Sequence, residues 1–139
     1  MQIGSRLELF VDQAVLEQLD GLALKMHAPR PAPASPTRIR GHYVTVLKDG
    51  DIYRAYYRDN VAGYQGPYEA GSPGEITCYA ESQDGHQWEY PNLGLHDVQG
   101  TDGPNAILAG EAPFSHNFSP FLDTRPGVPN HERYKALAG

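Results

Sequence analysis

The sequence holds a single cysteine, Cys78. An internal disulfide is therefore excluded, and the fold must rest on packing and hydrogen bonds alone. Cys78 sits in an alternating apolar run, residues 76–80, with no base beside it. It reads as a small buried hydrophobe and not as a nucleophile. Basic clusters are also missing. The net charge is −6 with Lys and Arg scattered, which argues against a nucleic-acid partner, because phosphate binding needs a basic stripe. No run approaches the roughly 20 apolar residues that span a bilayer, so no membrane partner is expected. Residues 1–6 lack a basic start followed by an apolar stretch, and the default compartment is cytoplasmic. Long helices are unexpected with 12 prolines and 15 glycines in 139 residues.

Metal and cofactor motifs are equally scarce. The six histidines, at 27, 42, 86, 96, 116 and 131, show no zinc-type spacing. Residues 97–102 fall short of a calcium loop in carboxylate count and order. A phosphate-cradling glycine loop and a serine nucleophile elbow are absent. No cofactor and no metal are expected.

What is present suits strands. Nine tyrosines and a tryptophan favour a pleated, half-buried surface, and 40% hydrophobic residues lie well above disordered chains. Residues 6–12 alternate as a strand, and Leu22, Leu24 and Met26 share one face of a second strand-like run over 22–27. Residues 28–37 form a Pro-rich linker, with four prolines in residues 28–36, that cannot donate a full hydrogen-bond ladder. Residues 41–95 read as a four-stranded antiparallel β-meander. Its strands are 42–48, 52–58, 76–82 and 86–90. Asp49-Gly50 and Asp84-Gly85 supply tight turns, because Gly tolerates positive φ and Asp can cap a turn. The loop over 59–75 is unusually long, and such loops are often functional. Residues 105–109 read as a short strand. A strand over 115–123 interrupted by Pro120, and another over 133–138, look like the start of a second unit spanning 105–138.

Ser82, Asp84, Gly85 and Trp88 follow the order Ser-x-Asp-Gly-x-x-Trp, the turn between outer strands of many propeller blades. Together with LFVD at 9–12, YRAYYR at 53–58, CYAESQDG at 78–85, PNLGL at 91–95, SHNFSPF at 115–121 and RYKAL at 133–137, the chain resembles the five-bladed β-propeller superfamily of glycoside hydrolase families 32 and 43. The closer likeness is to bacterial glycosidase-like proteins related to them. The resemblance implies an all-β fold of antiparallel meander blades: a partial, N-terminal piece of a five-bladed propeller with a carbohydrate-related role. A full propeller of that kind needs roughly twice this length. Exposed strand edges in a partial one invite pairing with a second copy, so a homo-oligomer is expected.

The catalytic acids of the resembled family do not map. The first inner strand, at 38–43, carries no carboxylate, and Ser119 stands where an Asp would be. Glycoside hydrolysis needs two carboxylates flanking the bond, so hydrolysis by this chain alone is not expected, and its status as an enzyme is left open. Blade topology instead points to a sugar-binding face at the end opposite the Asp-Gly turns. That face would carry Arg40, His42 and Tyr43, then Arg58 and Asp59, then Tyr64 and Tyr68, with His116 and Asn117 joining from the second unit. Tyrosine rings stack on pyranose faces, while Arg, Asp, His and Asn bond hydroxyls. Glu81 and Asp123 fall on the far side. The competing reading of these residues is plain packing and solvation, and a non-catalytic carbohydrate-binding or self-assembling β module needs no paired acids.

Overall fold

The computed structural model describes residues 4–5, 9, 11–13, 16–30, 38–39, 41–67, 69–98 and 105–139. The chain divides into two compact units, Met1–Pro33 and Ala34–Gly139. In the first unit, no strand forms among the described residues. The run over 22–27 lies open, with Leu22, Leu24 and Met26 exposed. Alternation becomes a strand only when a neighbour takes up the backbone N–H and C=O groups, and here none does among the described residues. The strand expected over 6–12 falls partly outside the described residues. Within it, the Val11 N–H donates to the Leu9 carbonyl at 2.9 Å, which turns the chain. Most of the Pro-rich linker, residues 31–37, is also outside them.

The second unit is all-β and antiparallel, with one 3-10 turn at Asn130–Glu132 as its only described helix. β1 (His42–Asp49), β2 (Ile52–Asn60), β3 (Glu75–Ser82) and β4 (Ala106–Leu108) form a sheet in the order β1-β2-β3-β4. β5 (Ser119–Leu122) and β6 (Tyr134–Leu137) pair as a second, two-stranded sheet. Neither sheet closes on itself. The β1–β2 hairpin ends at the pair Asp49 and Ile52, and Gly50 supplies the positive φ of +61° that the turn requires.

The fourth strand is not where the sequence predicts it. Residues 86–90 make a single bridge, in which Glu81 and Glu89 exchange both backbone hydrogen bonds at 3.0 and 2.8 Å. The reason lies in Pro91. Two residues along each chain, the next bonded pair would join Tyr79 to Pro91, and proline has no N–H to give. Asn105 fills the gap. The Tyr79 N–H donates to the Asn105 carbonyl at 3.0 Å, and the Asn105 side-chain amide donates to the Tyr79 carbonyl at 2.6 Å. Ala106–Leu108 then continues along β3. The short strand expected to open a second unit therefore completes the first sheet.

The sheet sorts its side chains by period 2. One face carries the core: Ala55 and Tyr57 from β2, Ile76, Cys78 and Ala80 from β3, and Ala106 from β4, with Trp88 packed among them. Tyr90 closes over Tyr57 edge-on, with ring centroids 6.4 Å apart. The opposite face is polar and aromatic. Tyr56 meets Tyr79 at 5.4 Å and Phe118 at 6.0 Å, and Arg54 donates to the Tyr79 hydroxyl at 2.6 Å. At the hairpin end of this face, Asp49 accepts from Arg133 and Tyr134, which ties the β5–β6 pair to the sheet. The other end of the polar face opens into a cleft.

Candidate functional site

The cleft forms where β1 begins, β2 ends and β3 begins, the end away from the Asp49-Gly50 turn. Its volume is about 590 Å³. His42, Tyr43, Arg58, Asn60, Glu75 and His116 supply its chemistry, and Glu69, Ala70 and Ser72 close one side.

Register explains why these groups meet. Arg58 pairs with His42 on one side and with Thr77 on the other, and Asn60 pairs with Glu75. Arg58, Asn60 and Glu75 therefore share the polar face. Between His42 and Thr45 the β1–β2 register slips, and Tyr43 adopts φ +52°. A left-handed conformation costs a non-glycine residue about 1–2 kcal/mol, and bulges of this kind re-aim side chains. Here the irregularity lays the Tyr43 ring against the Arg58 guanidinium, 4.1 Å from centroid to carbon.

His116 arrives from the turn before β5. The His116 N–H donates to the Pro113 carbonyl at 2.9 Å, and the Thr77 hydroxyl donates to the Ser115 carbonyl at 3.2 Å, pinning the turn to β3. Gly71 must be glycine for this approach. Its φ is +72°, and a Cβ there would come within 3.1 Å of the Pro113 side chain.

At the cleft floor, Glu75 is 6% exposed. Its Oε1 meets Arg58 Nη1 at 3.2 Å. Its Oε2 accepts from the Gly71 N–H at 2.9 Å and meets His116 Nδ1 at 2.8 Å. Arg58 Nη1 lies 2.8 Å from that same Nδ1. A buried carboxylate without such partners would be costly to keep ionised. The Ser72 hydroxyl, buried at the edge of the cleft, finds no hydrogen-bond partner among the described residues.

Of the residues the sequence points to, the structure brings His42, Tyr43, Arg58 and His116 together. Arg40 and Tyr68 lie outside the described residues. Asp59 does not join them. It follows Arg58 directly, so it faces the core side, opposite Ile76, and its carboxylate accepts from the Asn60 N–H at 2.8 Å. Tyr64 packs within its own loop, against the backbone of Gly66 and Gly74. Asn117, at φ +51°, lines a separate groove with Val44 and Phe118 on the other side of Tyr43. Sequence reasoning missed Glu75, Asn60, Glu69 and Ser72. Glu75 carried a usable signal: it is an acid at the first position of a strand whose partner strand ends in Arg58, Asp59 and Asn60.

The far-side acids are engaged elsewhere. Asp123 is held well below the usual carboxylate range by hydrogen bonds from Arg125 and Lys135. Glu81 accepts from the Tyr79 hydroxyl at 3.0 Å. A smaller concavity of about 360 Å³ lies beside the Asp84 turn, lined by Glu81, Asp84 and Glu89. The Asp84 carboxylate there is spent on the backbone N–H groups of His86 and Gln87, at 2.7 and 2.8 Å. Among the described residues, no group of three or more His, Cys, Asp or Glu side chains could hold a metal ion, and no helix is long and apolar enough to cross a membrane.

In comparison with known proteins, no family model, no curated protein and no solved structure matches the chain.

Proposed function

We propose that the chain is a carbohydrate-binding β module, part of a glycoside hydrolase-like propeller in which the four-stranded sheet is a blade, and that its cleft binds sugar without hydrolysing it. The observation that carries the reading is the join of an aromatic platform to a polar, hydroxyl-matching cleft. Tyr43 is 65% exposed and is held beside His42, Asn60 and Arg58. Rings of this kind cover the apolar face of a pyranose while neighbouring donors and acceptors take its hydroxyls. Against hydrolysis stands the state of Glu75. Both of its oxygens are occupied by Arg58, the Gly71 N–H and His116, whereas the chemistry needs two carboxylates free to flank the bond.

The test is calorimetric or NMR titration with a panel of oligosaccharides. Binding to at least one of them, weakened about tenfold in Tyr43→Ala, is expected, since tenfold is about 1.4 kcal/mol, the scale of one aromatic contact. Turnover of a nitrophenyl glycoside that disappears in Glu75→Gln would replace this reading with an enzymatic one.

A second reading has its own observation. Among the described residues, β1 is hydrogen-bonded to a strand on one side only, and Val44 and Val46 on it are exposed. Edge strands of this sort pair with other chains unless something blunts them. The expected homo-oligomer is proposed to form through this edge.

A further inference from the structure

The contact at His116 cannot be satisfied as it stands, and this carries an inference about how the cleft is regulated. Arg58 Nη1 and Glu75 Oε2 both lie 2.8 Å from one imidazole nitrogen, Nδ1. A guanidinium only donates, and an ionised carboxylate only accepts. One ring nitrogen offers either an N–H or a lone pair. With a lone pair on Nδ1, Arg58 donates to it and Glu75 Oε2 faces it acceptor to acceptor. Glu75 then relies on the Gly71 N–H and on Arg58. With a proton on Nδ1, the ring donates to Glu75 Oε2 and faces Arg58 donor to donor. In the imidazolium form, that clash is also one positive charge against another.

We propose that His116 is a proton switch that decides whether the Arg58 guanidinium is bound by the protein or turned into the cleft. The Tyr43 ring supports the second position. It already holds the guanidinium face at 4.1 Å, so Arg58 can leave Nδ1, and with it Glu75 Oε1 at 3.2 Å, while keeping this contact; the proton on Nδ1 takes over as the partner of Glu75. The other charged or titratable groups on the cleft are His42 and Tyr43 from β1, Glu75 from β3 and Glu69 from the loop before it. Of these, Glu75 alone is in contact with Nδ1. Protonation thus moves Arg58 without requiring β1, β2 or β3 to shift. The turned-out guanidinium presents N–H donors in fork geometry to a ligand in the cleft. This consequence for a ligand rests on the sugar-binding reading. The movement itself does not.

The experiment uses the full chain with no ligand. The His116 ring nitrogens and the Arg58 Nε–H are followed by NMR from about pH 5 to 8, the range in which histidine charge changes. The expected result is that the Arg58 signal shifts with the same midpoint as the His116 ring, and that its exchange with water speeds up as the ring gains its proton. In His116→Asn the Arg58 transition is expected to vanish. A flat Arg58 signal through the His116 titration would overturn the proposal even if no variant could be prepared. So would an Arg58 transition that persists in His116→Asn. A switch that fails here leaves the oligosaccharide titrations unaffected, so the two readings fail separately.

Discussion

Asn105 is the residue on which the sheet turns. It is fully buried, and its amide donates to both the Tyr57 hydroxyl, at 2.8 Å, and the Tyr79 carbonyl. Asn105→Ala leaves both acceptors without that donor, and an unsatisfied buried group costs about 1–3 kcal/mol. Urea denaturation is expected to show a loss of about that size. Gly41 is a second fixed point. A Cβ there would lie 2.1 Å from the Tyr57 ring and 2.6 Å from the Arg58 carbonyl. Gly41→Ala is expected to destabilise by about 1–3 kcal/mol, the usual cost of overpacking, and to disturb Arg58. Cys78 makes the opposite prediction. Burial pushes its thiol up to about 12, with the Asp59 charge adding to the shift. Iodoacetamide is therefore expected to label Cys78 only on unfolding, and mass spectrometry of the native protein would show the unlabelled chain. The buried, inert thiol was legible from its place in an alternating run. Three of the cleft residues, His42, Tyr43 and Arg58, were legible too, because a meander fixes which strand ends lie together; His116 was expected there only as part of a second unit. Asp59 was misplaced because it reads as the first residue of the loop; β2 instead runs on to Asn60, and regular alternation there turns Asp59 to the face opposite Arg58. Glu75 was overlooked although it is an acid at the start of a strand, because its pairing with Asn60 is made across a 14-residue loop, residues 61–74, and only the register brings the two together.

At the scale of elements, the three long strands β1, β2 and β3 were readable from alternation and from the Asp-Gly turn. The fourth was not. Trp88 and the alternation around it predict a strand over 86–90, yet Pro91 stops that ladder after one bridge. A polar side chain 14 residues further on takes its place. Period 2 describes faces; it does not say which distant segment will supply a missing N–H. The β5–β6 pair carries its own dependence on pH. Hydrogen bonds from Arg125 and Lys135 lower the Asp123 carboxyl below its ordinary value of 3.8. A depressed carboxyl contributes stability above its unfolded value and loses it as pH falls. Stability is thus expected to drop as pH falls below about 4, and to drop less in Asp123→Asn, with thermal unfolding as the measure. The open edge of β1 can be examined in the same way. Light scattering is expected to give a mass above that of one chain, and Val46→Lys to return it to one. A monodisperse monomer of the unaltered chain would set the edge-pairing proposal aside.

For the molecule as a whole, one face of the sheet makes the core and the other makes the cleft. The Arg58, Glu75 and His116 cluster is what joins β2, β3 and the turn before β5 into one site. Composition led to the expectation of a chain without metal, nucleic acid or membrane partners, and the proposed sugar ligand began as an expectation from a sequence resemblance that no comparison supports. Neither could give the geometry, since Glu75 and Ser72 reach the cleft only through the folding of the loop over 61–74. The central claim is that this cleft takes a sugar on the Tyr43 ring. It is tested most directly by 1H–15N NMR titration of the full chain with the oligosaccharide panel. Shifts concentrated at Tyr43, Arg58, Asn60, Ser72 and His116, and lost in Tyr43→Ala, are the expected result. Spectra unchanged by every oligosaccharide, or shifts clustered at the Asp84 turn instead, would contradict it.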